Sequence, residues 1–195
     1  MLTNRKIKTV FQNIPVIETP RLILRKISES DARDMYEYSC LESVTKYLTW
    51  MPHSSIKETE RYIKLLEKRY RAGAFWDFGL EYRENSKFIG TCGFTSFNIS
   101  ENSAEIGYVL APDYWGKKLA AEAAHAVMNF GFSVFGLDFI CARFIEGNIS
   151  SSKVMSSLGM TFENIYKNSM YIKGEYKTII EYKITKDTFM SKNNL

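Results

Sequence analysis

The sequence predicts an α/β (α+β) fold, with a mixed, mostly antiparallel seven-stranded sheet flanked by about four helices. Three observations carry this expectation. Between residues 75 and 111, three segments rich in aromatic and β-branched side chains are separated by the turn clusters RENS (83–86) and NISEN (98–102), which suits an antiparallel meander. Strand, helix and strand then follow one another between 103 and 146, and such a crossover makes its two strands parallel. Finally, two Ser/acid pairs three residues apart, Ser28/Asp31 and Ser55/Glu58, precede apolar residues at helical spacing.

The elements follow in order. Residues 1–15 read as a polar, basic N-terminal arm ahead of a single domain at 16–190, for which 195 residues with 45% hydrophobic content supply enough core. RLILRKI (21–27) alternates charged and aliphatic residues, as a strand with one buried face does. The Ser28/Asp31 box opens a short helix through ARDMYEYS. The Ser55/Glu58 box opens a longer one, in which Ile56, Tyr62, Ile63, Leu66 and Tyr70 recur until Gly73 stops it. Strands are expected at 75–82, 87–97 and 103–111. Over 118–135, Ala120, Ala123, Ala124, Val127, Gly131 and Val134 share one side, while Lys118, Glu122, His125, Asn129 and Ser133 share the other. The small inner face lets this helix lie close to a sheet. A strand at 138–146, a short helix at 151–159 ended by Gly159, and a hairpin of 162–172 and 175–184 around Lys173-Gly174 complete the chain.

Composition narrows the function. Lys and Arg number 26 against 22 Asp and Glu, giving a net charge of +4 spread along the chain. That balance suits a small anionic ligand better than nucleic acid. Cysteines stand at 40, 92 and 141 with no Cys-x-x-Cys, so neither a disulfide framework nor a metal site is expected, and all three read as small buried hydrophobes. No run reaches the apolar length of a signal peptide core or a membrane span, which points to a cytoplasmic protein without a membrane partner.

The informative stretch is PDYWGKKLAAEAAHAVMNFGF (112–132). A glycine turn that leads into a helix leaves the first amides without internal partners, at the positive end of the helix dipole. Gly116 lets a ligand approach the backbone, Ala120 and Ala121 keep the first turn clear, and Lys117 and Lys118 add charge. This is an anion site, although neither a Walker loop nor a Gly-x-Gly-x-x-Gly fingerprint is present.

Together with its surroundings this stretch resembles a known family. EIGYVLAPDYWGKKLAAEA (105–123) and IEGNISSSKVMSSLGM (145–160) resemble the GNAT acyl-CoA N-acetyltransferases, in the branch typified by bacterial ribosomal-protein alanine acetyltransferases, the Rim type. ETPRLILRKISESDARDMYEY (18–38), YLTWMPHSS (47–55) and FIGTCGF (88–94) extend the likeness over roughly 17–185. The resemblance implies a splayed central strand pair and acetyl-CoA as co-substrate. The family's phosphate pattern, Arg/Gln-x-x-Gly-x-Gly/Ala, falls on Trp115, Gly116, Lys117, Lys118, Leu119 and Ala120. Lys118 stands at the central glycine, so a positive φ there would cost about 1–2 kcal/mol unless the turn is right-handed or the ammonium meets phosphate. Val109 and Leu110 would offer main-chain groups to the pantetheine. Asn148 and Ser151 match the family's Asn-x-x-Ser near the thioester, with helix capping as their alternative role.

The implied chemistry is aminolysis of a thioester, which needs a proton acceptor for the amine, a donor for the developing oxyanion and a proton for sulfur. Glu105 is the candidate base by resemblance. A backbone amide near Val109 or Leu110 would meet the oxyanion, and Tyr108, Tyr166 and Tyr171 are candidate acids for sulfur. Cys141 has no histidine nearby in sequence and is not expected to carry an acyl group. His53 and His125 read as surface groups. Tyr47 to His53, with Phe75 and Trp76, could wall the acceptor pocket. Freeing an α-amine at neutral pH costs roughly 3.5 kcal/mol less than freeing a lysine, so an N-terminal amine is the favoured acceptor, and the Rim-type resemblance implies Ala or Ser first. A small amine such as an antibiotic or a polyamine, or a non-catalytic acyl-CoA sensor, are the alternatives. The protein is expected to be a monomer or a homodimer.

Overall fold

The structure, a computed structural model, describes residues 2–193. The N-terminal arm is a packed helix. Thr3 accepts the Lys6 amide and caps α1 (Asn4–Gln12), whose Ile7 and Phe11, four residues apart, are both buried. Phe11 meets the rings of Phe78, Phe94, Phe97, Phe130 and Phe135. The sequence reading missed this helix because its buried positions are isolated among Lys, Arg and Thr.

The remaining elements are β1 (Ile17–Glu18), β2 (Leu22–Arg25), α2 (Ala32–Ser39), α3 (Glu42–Thr45), α4 (Ile56–Arg71), β3 (Asp77–Tyr82), β4 (Lys87–Asn98), β5 (Ser103–Leu110), α5 (Leu119–Phe130), β6 (Phe139–Ile145), α6 (Ile149–Ser157), β7 (Thr161–Ile172), β8 (Glu175–Thr185) and α7 (Lys186–Asn193). The Ser28/Asp31 capping box forms as expected. The second box shifts by one residue: Ser55 makes no side-chain cap, and the Glu58 carboxylate instead accepts the amide and hydroxyl of Ser54. The helix expected over 118–135 ends at Phe130 and widens into a π turn over Gly131–Phe135.

The sheet has eight strands in the order β1-β2-β3-β4-β5-β6-β8-β7. The expected seven become eight because the Thr19 amide and hydroxyl both bond the Leu22 carbonyl, which folds Ile17–Glu18 back onto β2. Described helices number seven rather than about four, the additions being α1, α3 and α7. Every pair is antiparallel except β5 and β6, which the α5 crossover makes parallel. That parallel pairing covers only Ser103–Ile106 against Phe139–Ala142. Beyond it the two strands diverge.

Alternation assigns each face. Phe78, Leu80, Cys92, Phe94, Ile106, Ile140 and Ala142 point toward α5 and pack with its Ala123, Ala124 and Val127. On the opposite face, α2 and α4 close over Ile27 and Phe88 with Met35, Ile63, Leu66 and Tyr70. The gap between β5 and β6 therefore joins two differently built sides of one sheet.

Candidate active site

A cavity of about 340 Å³ occupies this gap. From the α5 side it is lined by Tyr108, Asn148, Ser151 and Met155, and from the α4 side by Asp77, Thr91, Glu105 and the segment Tyr47–Trp50. Residues of both faces meet in a single slot, which allows a ligand on one side to react with a ligand on the other.

The turn that opens α5 lies on the same crossover. Gly116 has φ +74°, and a Cβ there would meet nothing within 4 Å, so its surface stays open. Lys118 adopts φ 61° and ψ 13°, the left-handed conformation. The right-handed alternative is excluded, and lysine bears the steric cost of a position that suits glycine. Among the described residues, none of the amides from Gly116 to Ala121 donates to a protein acceptor outside the helix. Leu119 is buried, so it can offer a ligand only its backbone. Arg21 holds the turn from outside: it donates to the Lys117 carbonyl at 3.0 Å and pairs with Glu122 at 2.7 Å. Glu122, read as an outer-face residue, also accepts the Thr19 hydroxyl at 2.6 Å. These features fit an extended anion such as the pyrophosphate of acetyl-CoA.

Glu105, Gly107 and Val109 face the α4 side of β5. Burial raises the Glu105 carboxyl above its ordinary range, against the opposing pull of Arg143, whose Nη1 lies 3.5 Å from Oε2. Arg143 also donates through Nε to the buried Glu181, and its guanidinium lies over the Tyr166 ring. The base candidate is thus half-buried and only loosely paired, because its cation partner is held mainly by another carboxylate. Past Ile106, Gly107 to Leu110 have no β6 partner. Because the Ala111 amide bonds the Ile89 carbonyl, alternation turns the main-chain groups of Val109 toward Thr91 on β4, and those of Tyr108 and the Leu110 amide are what the open edge offers, a correction to the expectation for Val109. The Leu110 carbonyl is taken by the Trp115 indole at 2.8 Å, so Trp115 braces the turn.

Asn148 caps α6 by accepting the Ser151 amide at 3.2 Å, and the Ser151 carbonyl accepts the Tyr108 hydroxyl at 3.2 Å. Both matched residues line the slot, yet the hydrogen bonds they make are structural. Among the tyrosines, Tyr108 reaches the slot with its hydroxyl pKa pushed up, mainly by burial. Tyr166 lies toward Glu181, and Tyr171 is exposed against Tyr176. Cys141 is held as a thiol up to about pKa 12 by burial and by Glu105, as expected of a spectator.

Two more expectations are corrected, and three further residues join the slot. His53 is half-buried, with Nδ1 3.1 Å from the Ser39 hydroxyl and 2.7 Å from that of Thr59, and burial lowers its pKa. Phe75 and Trp76 do not wall the slot: Phe75 packs on Tyr70, and Trp76 on Phe97. Asp77, Thr91 and Arg143 line the slot without having been singled out. A charged residue inside the apolar strand FICARFI was the only available signal for Arg143; Asp77 gave none, since strands often open on a polar residue.

Comparison with known proteins agrees with this geometry. The family model described as "Acetyltransferase (GNAT) domain" matches residues 21–161. The chain is 31% identical to the uncharacterized N-acetyltransferase YoaA of Bacillus subtilis over 88% of its length and 97% of the relative's. It is 23% identical to spermidine N(1)-acetyltransferase of Escherichia coli (strain K12), covering 87% of this chain and 89% of that one. Its fold matches the structure of RimL, a ribosomal L7/L12 alpha-N-protein acetyltransferase in complex with coenzyme A, at a TM-score of 0.76 and 19% identity, covering 89% and 99% of the two chains.

Proposed function

Given that the chain belongs to the GNAT acetyltransferase family and is an acetyl-CoA-dependent N-acetyltransferase, we propose that its acceptor is the N-terminal α-amine of a protein, attacked directly without a covalent enzyme intermediate. The observation that supports this reading is the slot itself, which brings Glu105 and the α5 side of the sheet into one small cavity. At about 340 Å³ it is at the lower end of ligand cavities, which suits a chain end with a small first residue such as Ala or Ser. An α-amine also asks less of a single moderately basic carboxylate than a lysine or polyamine amine does.

The co-substrate supplies an activated acetyl group as a thioester. In this reading the amides from Gly116 to Ala120, with Lys117 and Lys118, hold its pyrophosphate. The Leu110 amide and main-chain groups of Tyr108, on the open edge of β5, orient its pantetheine arm, and Asn148 and Ser151 shape the α6 side. Glu105 takes a proton from the acceptor nitrogen, directly or through water, and Tyr108 stands nearest to where a thiolate would leave.

The test is turnover of acetyl-CoA with hexapeptides beginning in Ala, Ser or Lys, against the same peptides with blocked N-termini and against spermidine. Acetylation of the free Ala and Ser peptides alone is the expected result; preference for spermidine would overturn the acceptor. Glu105→Gln should lower kcat by at least about 100-fold on the preferred acceptor while leaving acetyl-CoA affinity within a factor of two.

A further inference from the structure

On the wall of the slot that faces α4 stands a second carboxylate. Asp77 opens β3, lines the cavity, and presents a buried Oδ1 with no hydrogen-bond partner among the described residues. An unpaired buried carboxylate oxygen is costly, and folded proteins rarely keep one without a use. No lysine, arginine or histidine pairs with it among the described residues, in contrast to Glu105.

The sheet clears a path in front of it. Asp77 lies opposite Gly93 on β4, and Gly93 lies opposite Gly107 on β5, so the two positions that could screen the carboxylate carry no side chain. A Cβ on Gly93 would come within 2.6 Å of Asp77 Oδ1 and 2.4 Å of the Trp76 carbonyl. Asp77 and Glu105 share this face from strands about 10 Å apart, with Glu105 two residues along β5 from the Gly107 register of Asp77, which leaves room between them for an extended amine and its thioester partner. The backbone is pinned as well, since the Tyr70 hydroxyl donates to the Asp77 carbonyl at 2.7 Å.

We propose that Asp77 receives the acceptor: its carboxylate binds the incoming ammonium and takes one proton from it, delivering a neutral amine to the thioester. This rests on the acetyl-transfer reading above and gives that site a second proton acceptor. The balance is as follows. One N–H proton of the ammonium moves to an Asp77 oxygen. The freed lone pair forms the C–N bond at the thioester carbonyl carbon, and the C–S bond breaks. A second N–H proton leaves nitrogen by way of Glu105 and ends on the departing sulfur, while the Asp77 proton returns to solvent. Nothing is oxidised or reduced.

The surroundings suit the task. Burial raises the Asp77 carboxyl to about 7, with the Thr91 hydroxyl and the Phe78 amide acting in the opposite direction. The titratable groups that feel its charge are Tyr38 on α2 and Tyr62 and Tyr70 on α4, with Cys92 of β4 on the other face of the sheet, all shifted upward and uncharged at neutral pH. An ammonium with an ionised Asp77 and a neutral amine with a protonated Asp77 carry the same protons, so kcat/KM should rise with pH through about 7 and fall once the free acceptor loses its own proton.

Two measurements test this. In protein labelled with carboxyl-¹³C aspartate, the Asp77 resonance, assigned by its loss in Asp77→Asn, should titrate near 7 and shift when an Ala-initiated hexapeptide or spermidine is added. In turnover with whichever probe is acetylated, Asp77→Asn should lower kcat/KM about 100-fold and abolish the rising limb. Thr91→Val should move that limb to higher pH, a displacement that a merely structural role would not produce and that remains readable if Asp77→Asn fails to fold. A resonance in the ordinary carboxylate range, or one indifferent to both probes, overturns the assignment, as does an Asp77→Asn enzyme with an unaltered profile. A responsive resonance in an enzyme that acetylates neither probe would overturn the proposed acceptor and leave Asp77 standing.

Discussion

Two residues of the site are held in conformations or environments that folding alone would avoid, and each gives a measurable consequence. Lys118 keeps a left-handed backbone at the mouth of α5. Lys118→Gly should therefore stabilise the chain by a net ~0.5–1 kcal/mol, the relief of strain less the extra backbone entropy of glycine, raising Tm by about 1–4 °C. If the backbone amides carry the pyrophosphate, acetyl-CoA binding should weaken no more than about three-fold; a larger loss would show that the ammonium itself is the ligand. Asp77 has its carboxyl raised from 3.8 to about 7 by burial, so the unfolded chain ionises before the folded one. The cost to stability is absent below about pH 4, grows between the two values, and is complete above about pH 7, where it reaches on the order of 4 kcal/mol. Asp77→Asn should raise the unfolding midpoint at pH 8, and much less at pH 4.5, when thermal melts are compared at the two pH values. A residue whose neutral isostere stabilises the fold but disables the enzyme is placed for function.

At the level of elements, the geometry of the candidate site is the outcome of one short pairing. The β5–β6 ladder ends at Ile106/Ala142, and the same strands carry Glu105 and Arg143 at the point of divergence. Elements with strong periodicity, such as α4, α5 and the β3 to β5 meander, are legible in the sequence because their buried faces repeat at 3.6 or 2 residues. Those stabilised by a few long-range contacts are not. The N-terminal helix α1 is the clearest case: Ile7 and Phe11 are the residues it buries fully, and Phe11 sits among five other phenylalanine rings. Its outer end is held by the Gln12 amide donating to the Arg71 carbonyl, next to Gly73, where a Cβ would strike the Lys8 carbonyl at 2.4 Å. Phe11→Ala should cost ~3–5 kcal/mol in urea unfolding, a value expected of a core residue and far above that of a mobile arm.

Across the whole molecule, a single sheet separates the α5 side from the α4 side, proposed to hold the cofactor and the acceptor, and the slot is the passage between them. On the proposed reading the cofactor engages the loop before α5, the edge of β5 and the start of α6, elements distant in sequence, so its binding should tie them together. Acetyl-CoA at 100-fold above its Kd should add ~2.7 kcal/mol and raise Tm by roughly 5–11 °C, with the increment shrinking as salt screens the basic turn. Absence of any shift would remove the turn as a binding site.

The sequence by itself determined the family, the order of the principal strands and helices, and the glycine turn at 112–120 that leads into α5, because each depends on local periodicity or on residues adjacent in the chain. Tertiary structure alone decided where Phe75 and Trp76 pack, that His53 is enclosed by Ser39 and Thr59, and that α1 belongs to the core. It alone also gathered Asp77, Glu105 and Arg143 around one slot. Burial and charge pairing arise from strands brought together across the sheet, and a carboxylate's solvation is set by neighbours that its own stretch of sequence does not name.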